Sequence, residues 1–147
     1  MGVYYPYQEF REDLKILVKK IDFEFDAIIA IARGGMIIAQ MIGEYFDIRD
    51  VFIINSIGYK GDKRIDSIKI FNIPNLDRSK NILIVDDIID SGQTIKEILN
   101  ILNKNHSKKV FKTASIFYKK EALYKPDFFV KYTTKWVDFF WSIDLKD

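Results

Sequence analysis

The sequence predicts an α/β fold, a mostly parallel twisted sheet with helices on both faces, and three observations carry that prediction. The apolar runs within 26–33 and at 82–85 are continuous rather than alternating, the pattern of strands buried on both faces, and 110–118 supplies a further strand. Segments with apolar residues at helical spacing lie between them. Small or glycine-containing turns sit where strand gives way to helix, at Gly34-Gly35 and at Asp90-Ser-Gly-Gln-Thr94.

Taken in order, Phe10, Leu14, Leu17 or Val18, and Ile21 repeat at helical spacing, so residues 7–21 should form an amphipathic helix. Residues 26–33 give the first buried strand. Gly34 and Gly35 break it, and Ile38, Met41, Ile42 and Tyr45 mark the next helix. Residues 51–57 read as a second strand. The polar, charged stretch 58–66 should be a flexible loop, leading to a short apolar strand at 68–73. The strand 82–85 ends at the acidic pair Asp86-Asp87, and Ile95, Ile98, Leu99 and Leu102 place a helix straight after Thr94. Residues 110–118 read as the last strand of the core, and the tail 136–141 is unusually aromatic.

Size and composition narrow the chemistry. The 147 residues suffice for one domain with a real core, and 48% hydrophobic with 30% charged residues is ordinary globular composition. No segment approaches the length of an apolar membrane span, and the first residues lack the basic and apolar regions of a secretory signal, so the expectation is a cytoplasmic protein. With no cysteine there is no disulfide or thiolate chemistry. His106, the only histidine, lies in the polar stretch 103–109, which excludes a histidine triad or histidine metal cluster. Carboxylates, lysines or tyrosines must therefore supply the titratable groups. A net charge of +2 argues for no nucleic-acid partner.

In sheets of this type ligands bind beyond the carboxyl ends of the strands. That rule gathers Arg33-Gly34-Gly35, the loop after Ile57, residues 86–94 and Lys119 at one edge. The turn at 90–94 opening a helix is an anion site, because converging backbone N–H groups and the helix dipole favour negative charge. Gly92 lets a guest approach the backbone, and Ser91 and Thr94 can donate to phosphate oxygens. Asp86 and Asp87 would repel that phosphate, so they should face sugar hydroxyls or a divalent metal. Arg33 with Gly34 and Gly35 suits a pyrophosphate, and Lys60, Lys63 and Arg64 are placed to close over the same phosphates. Taken singly, these are ordinary signals: Thr94-x-x-Glu97 also fits a capping box and Arg-Gly-Gly is a common turn.

The string Ile82-Leu-Ile-Val-Asp-Asp-Ile-Ile-Asp-Ser-Gly-Gln-Thr94 as a whole resembles the PRPP-binding signature of the type I phosphoribosyltransferases. Lys119, just past the strand 110–118, and Trp136-Val137-Asp138 extend the likeness to the short xanthine-guanine/hypoxanthine (6-oxopurine) phosphoribosyltransferase type. It runs from about Ile28 to Trp141. The resemblance implies a single domain of that fold over 1–147, with a small hood from the N-terminal segment and residues 119–147. It implies a purine-salvage transferase that joins the 5-phosphoribosyl group of PRPP to guanine, xanthine or hypoxanthine, and a homo-oligomer, dimer or tetramer. PRPP would be bound by Arg33, Gly34, Asp86, Asp87, Asp90, Ser91, Gly92, Gln93, Thr94 and Arg64. Asp87, with Asp86 beside it, would hold Mg²⁺. Asp90 would act as general acid/base at purine N7, Lys119 would meet the exocyclic oxygen, Trp136 would stack on the base, and Val137 would meet it by its backbone. Gly58-Tyr59 departs from the family's frequent Ser-Tyr, and Phe139-Phe140 replaces more polar residues. A PRPP-sensing regulator, or transfer to orotate, adenine or uracil, stands as the alternative.

Overall fold

The computed structural model describes residues 2–60 and 66–146; Lys63 and Arg64 lie outside the described residues, as does the side chain of Lys60. Its elements run β1 (Val3–Tyr5), α1 (Tyr7–Lys20), β2 (Ala27–Ala32), α2 (Met36–Phe46), β3 (Val51–Lys60), β4 (Asp66–Phe71), β5 (Asn81–Ile89), α3 (Gln93–Asn105), β6 (Val110–Tyr118), β7 (Phe128–Tyr132), β8 (Val137–Phe139) and α4 (Phe140–Ile143).

Six strands form one sheet in the order β4-β3-β2-β5-β6-β7, parallel throughout except for the β3–β4 pair. The continuous apolar runs explain why: Ile28, Ile29, Leu83 and Ile84 are fully buried, so each central strand needs cover on both faces. Helices α1 and α2 cover one face through Phe10, Leu14, Leu17, Ile38 and Ile42, which pack with Ile28 and Leu83. Helix α3 covers the other through Ile95, Ile98 and Leu102, which pack with Ile29, Ile82 and Ile84. Each of these α3 side chains contributes roughly 1.5–3 kcal/mol by burial. Lys19 and Lys20 in the last turn of α1 complement its dipole. Asp47 ends α2 in a left-handed conformation, φ 56°, which a short polar side chain tolerates.

A second sheet of two parallel strands, β1 and β8, sits over α1, with Val3 opposite Val137 and Tyr5 opposite Phe139. Trp141 stacks on Phe139 with ring centres 4.7 Å apart, so it is a packing residue. Beneath them the buried Asp13 accepts from the Tyr5 hydroxyl at 2.5 Å and from Lys131 Nζ at 2.8 Å. Lys131 also reaches Glu9 at 3.0 Å, so α1, β1 and β7 are joined by one charged cluster.

Four sequence expectations change. Residues 58–60 are not loop: β3 continues to Lys60 and pairs with β4, which begins at Asp66. Strand β5 does not stop before the acidic pair, because its ladder with β6 continues through Asp86↔Ser115 to Ile89↔Tyr118. Strand β6 is not the last of the core; β7 adds outside it, with Ala114 opposite Phe128. Strand β1 was not anticipated, because three residues acquire meaning only through their distant partner.

Candidate active site

The chain passes from β2 to β3 on one side and resumes at β5 on the other, so β2 and β5 are neighbours whose crossover helices lie on opposite faces. A crevice opens beyond their carboxyl ends. Ala30 lies opposite Val85, which brings Arg33-Gly34-Gly35 beside Asp86-Asp87.

On the β2 side the turn is built of short contacts. The Ala32–Arg33 peptide bond is cis. Gly35 N–H donates to Ile31 C=O at 2.9 Å and Met36 N–H to Arg33 C=O at 3.0 Å, which turns the chain directly into α2. A Cβ on Gly35 would collide with the Val85 carbonyl, and one on Gly34 with the Asp87 carboxylate, 2.7 Å from its Oδ1. Close approach to backbone thus requires glycine at 35, whereas a side chain at 34 would displace the Asp87 carboxylate. Arg33 stays exposed at the N-terminal end of α2.

On the β5 side, the Asp87 amide donates to Asp86 Oδ1 at 2.8 Å and the Ile88 amide to Asp87 Oδ1 at 2.7 Å. Burial and the charge of Asp87 push the Asp86 carboxyl well above the usual carboxylate range, and burial raises Asp87 as well. Two crowded, desolvated carboxylates are a donor set for a hard cation, and oxygen ligands of this kind fit Mg²⁺. No group of three or more possible ligands clusters among the described residues.

Gly92 then turns with φ +86° and α3 starts at Gln93. The Gln93 amide donates to Ser91 Oγ at 3.2 Å, an ST-type turn at the start of α3. Thr94 is half-buried on the first turn and Ser91 exposed. The cap is Gly92 rather than Thr94, so the capping-box alternative is not realised.

Lys119 Nζ pairs with Asp90 at 2.7 Å, whereas Lys120 lies over the Tyr132 ring at 4.5 Å. Adjacent lysines thus separate, and Lys119 alone faces the crevice. Trp136 is 65% exposed, and its indole N–H donates to Asp138 Oδ1 at 3.1 Å. Val3 N–H donates to Trp136 C=O at 2.9 Å, and Val137 is buried in the β1–β8 pair. Asp138, the third residue of the Trp136-Val137-Asp138 motif, thus fixes the indole of Trp136.

The pattern of the phosphoribosyl transferase domain matches residues 6–147. The chain belongs to that family. Among phosphoribosyltransferases it is similar to the Helicobacter pylori xanthine-guanine-hypoxanthine phosphoribosyltransferase, with 39% identity and a TM-score of 0.91 over 99% of this chain and 97% of that one. A purine phosphoribosyltransferase from Pyrococcus horikoshii is 30% identical, with a TM-score of 0.82 over 95% and 93%. A xanthine-guanine phosphoribosyltransferase from Ruegeria is 27% identical over 99% of this chain and 88% of its own. These likenesses identify a type I phosphoribosyltransferase of the 6-oxopurine kind.

Proposed function

We propose that the protein transfers the 5-phosphoribosyl group of PRPP to a 6-oxopurine, forming a nucleoside monophosphate and pyrophosphate. The observation that carries this reading is the run of complementary groups along one crevice, from Arg33 through the acidic pair to the Lys119–Asp90 pair. The names of the relatives at 39% and 30% identity support the purine assignment.

Arg33 and the amides opening α2 receive the pyrophosphate, a match of charge and helix dipole. Asp86 and Asp87 take the ribose hydroxyls, and they are also the residues that would hold Mg²⁺. When bound, the cation would neutralise phosphate charge and satisfy the crowded carboxylates. Ser91, Gly92, Gln93 and Thr94 grip the 5′-phosphate through the N-terminal amides of α3 and two hydroxyls. Lys119 donates to the exocyclic oxygen of the base, Trp136 stacks on its ring, and the Val137 backbone lies at its edge.

As the base nitrogen bonds to C1 of the ribose, the bond from C1 to the pyrophosphate oxygen breaks, and pyrophosphate carries away the electron pair. Asp90 exchanges the base proton. Lys119 must let go of Asp90 for this, and the incoming purine oxygen offers the ammonium a substitute partner. Binding of the base thereby prepares the proton acceptor. The remaining work is positioning and charge stabilisation.

The same reading makes the protein a cytoplasmic homo-oligomer, a dimer or tetramer, for which the exposed Met36, Ile37 and Tyr45 of α2 offer apolar surface. No described helix is long and apolar enough to cross a membrane. Pyrophosphate release measured with Mg²⁺, PRPP and a panel of guanine, xanthine, hypoxanthine, adenine and orotate tests the proposal. Turnover confined to the three 6-oxopurines is expected. Turnover with adenine or orotate alone, or none with any base, refutes it.

A further inference from the structure

The segment between β6 and β7 starts against the end of β5 and then meets the turn at Ser91 and Gly92. Lys119 N–H donates to Ile89 C=O at 3.0 Å, Ala122 N–H to Lys119 C=O at 3.0 Å, and Leu123 N–H to Ser91 C=O at 2.7 Å. A Cβ on Gly92 would lie 2.7 Å from the Tyr124 amide nitrogen and 3.0 Å from that of Leu123. The backbone of this segment therefore rests directly on Gly92. The exposed side chain of Leu123 contributes nothing to that contact.

Tyr124 fastens the far end. Its ring packs into the apolar cluster formed with Ile95, Ile98 and Leu102 of α3, and its hydroxyl meets Thr113 Oγ1 at 3.1 Å. Thr113, in the middle of β6, is itself fixed: its amide donates to Asp127 Oδ2 at 2.9 Å, and its hydroxyl oxygen accepts from the Asp127 amide at 3.0 Å. A strand, a half-buried phenol and two backbone amides thus bracket the turn.

We infer that Tyr124 is a positioning residue for phosphoribosyl binding: anchored on Thr113, it holds the Leu123 and Tyr124 backbone against Ser91 and Gly92, fixing the amides that receive the 5′-phosphate. Tyr124 touches no substrate and acts through the turn. Because the same segment begins at Lys119, the phosphate-gripping turn and the base-reading lysine are held by one piece of backbone. The inference rests on the reading of residues 90–94 as the 5′-phosphate site.

Both ideas are tested separately by the affinity advantage of guanosine 5′-monophosphate over guanosine, measured calorimetrically on the full chain. Guanosine lacks only the phosphate, so the ratio isolates the turn's contribution. Wild type should prefer the monophosphate strongly, and Thr94→Val should erode that preference; if wild type shows none, the site reading and the inference fall together. Tyr124→Phe removes one oxygen and should lower the ratio about three- to tenfold, the span of one neutral hydrogen bond, while guanosine affinity holds. Thr113→Val, which removes the anchor from the other side, should do the same if the phenylalanine variant folds poorly. If Thr94→Val erodes the ratio while Tyr124→Phe changes it less than threefold, the site stands and the bracket is refuted. Equal loss of both ligands in Tyr124→Phe refutes the bracket as well, since general damage would not spare the nucleoside.

Discussion

Replacing Gly92 by alanine probes a tight point in the crevice, where two penalties add. At φ +86° an L side chain costs about 1–2 kcal/mol, because Cβ crowds the backbone. The new methyl also meets the Tyr124 amide nitrogen at 2.7 Å, and a main-chain atom cannot rotate away as a flexible side chain does. Overpacking of this kind costs about 1–3 kcal/mol. The sum, about 2–5 kcal/mol, should lower the melting temperature by roughly 5–15 °C in a domain of this size. If the segment retreats instead of bearing the strain, the 2.7 Å bond from Leu123 to Ser91 opens and the loss appears as weakened monophosphate binding. Scanning fluorimetry and calorimetry on the same preparation cover both routes. Gly58→Ala, where a Cβ meets nothing within 4 Å among the described residues, serves as the stability control and should shift melting by about 1 °C or less. A Gly92→Ala protein that melts and binds like wild type would refute the reasoning.

Asp90→Asn should cut kcat by about 10²–10⁴-fold while PRPP still binds, because the amide cannot exchange the proton; unchanged turnover would count against the assigned role. Lys119→Met should raise KM for the purine by more than tenfold while KM for PRPP moves little, as steady-state kinetics would show. Lys131→Met leaves the buried Asp13 with only the Tyr5 hydroxyl and should cost about 2 kcal/mol, below the usual figure for a buried pair because the lysine is about one-third exposed. Burial lowers the Lys131 pKa, but hydrogen bonds to Asp13 and Glu9 outweigh it and the net shift is upward. Its contribution is therefore fully present below the lysine's ordinary value of about 10.4 and fades as pH rises through the raised folded value. Urea unfolding at pH 7 and pH 11 should show the gap between wild type and Lys131→Met narrowing at the higher pH.

The legible parts of this chain were those fixed by local chemistry. Continuous apolar runs announced β2 and β5, and Ile95, Ile98 and Leu102 at helical spacing announced α3. The turn from Asp90 to Thr94 declared its amides by composition alone, and Gly34 and Gly35 marked a close approach whose partners only the fold could name. What stayed hidden depends on distant pairing. Asp86 and Asp87 looked like the end of a strand because charged side chains interrupt an apolar run, yet the ladder to β6 ignores side chains and carries on to Ile89. Strand β7 follows β6 after nine residues without a described helix, whereas a crossover between parallel strands is ordinarily helical. The bracket at Leu123 and Tyr124 acts through main-chain amides and one phenol, which leave no mark in residue spacing.

Pairing Val3–Tyr5 with Val137–Phe139 has a consequence for how the protein is made. A ribosome delivers β2, α2 and β5 together, so the phosphate half of the crevice can assemble while the other half is still being translated. Strand β1, made before these elements, must wait for β8, made after them. Loop closure over so many residues costs little more than over half as many, because the entropy rises only logarithmically. The delay is temporal rather than energetic: the two-stranded sheet is laid when the rest of the house already stands.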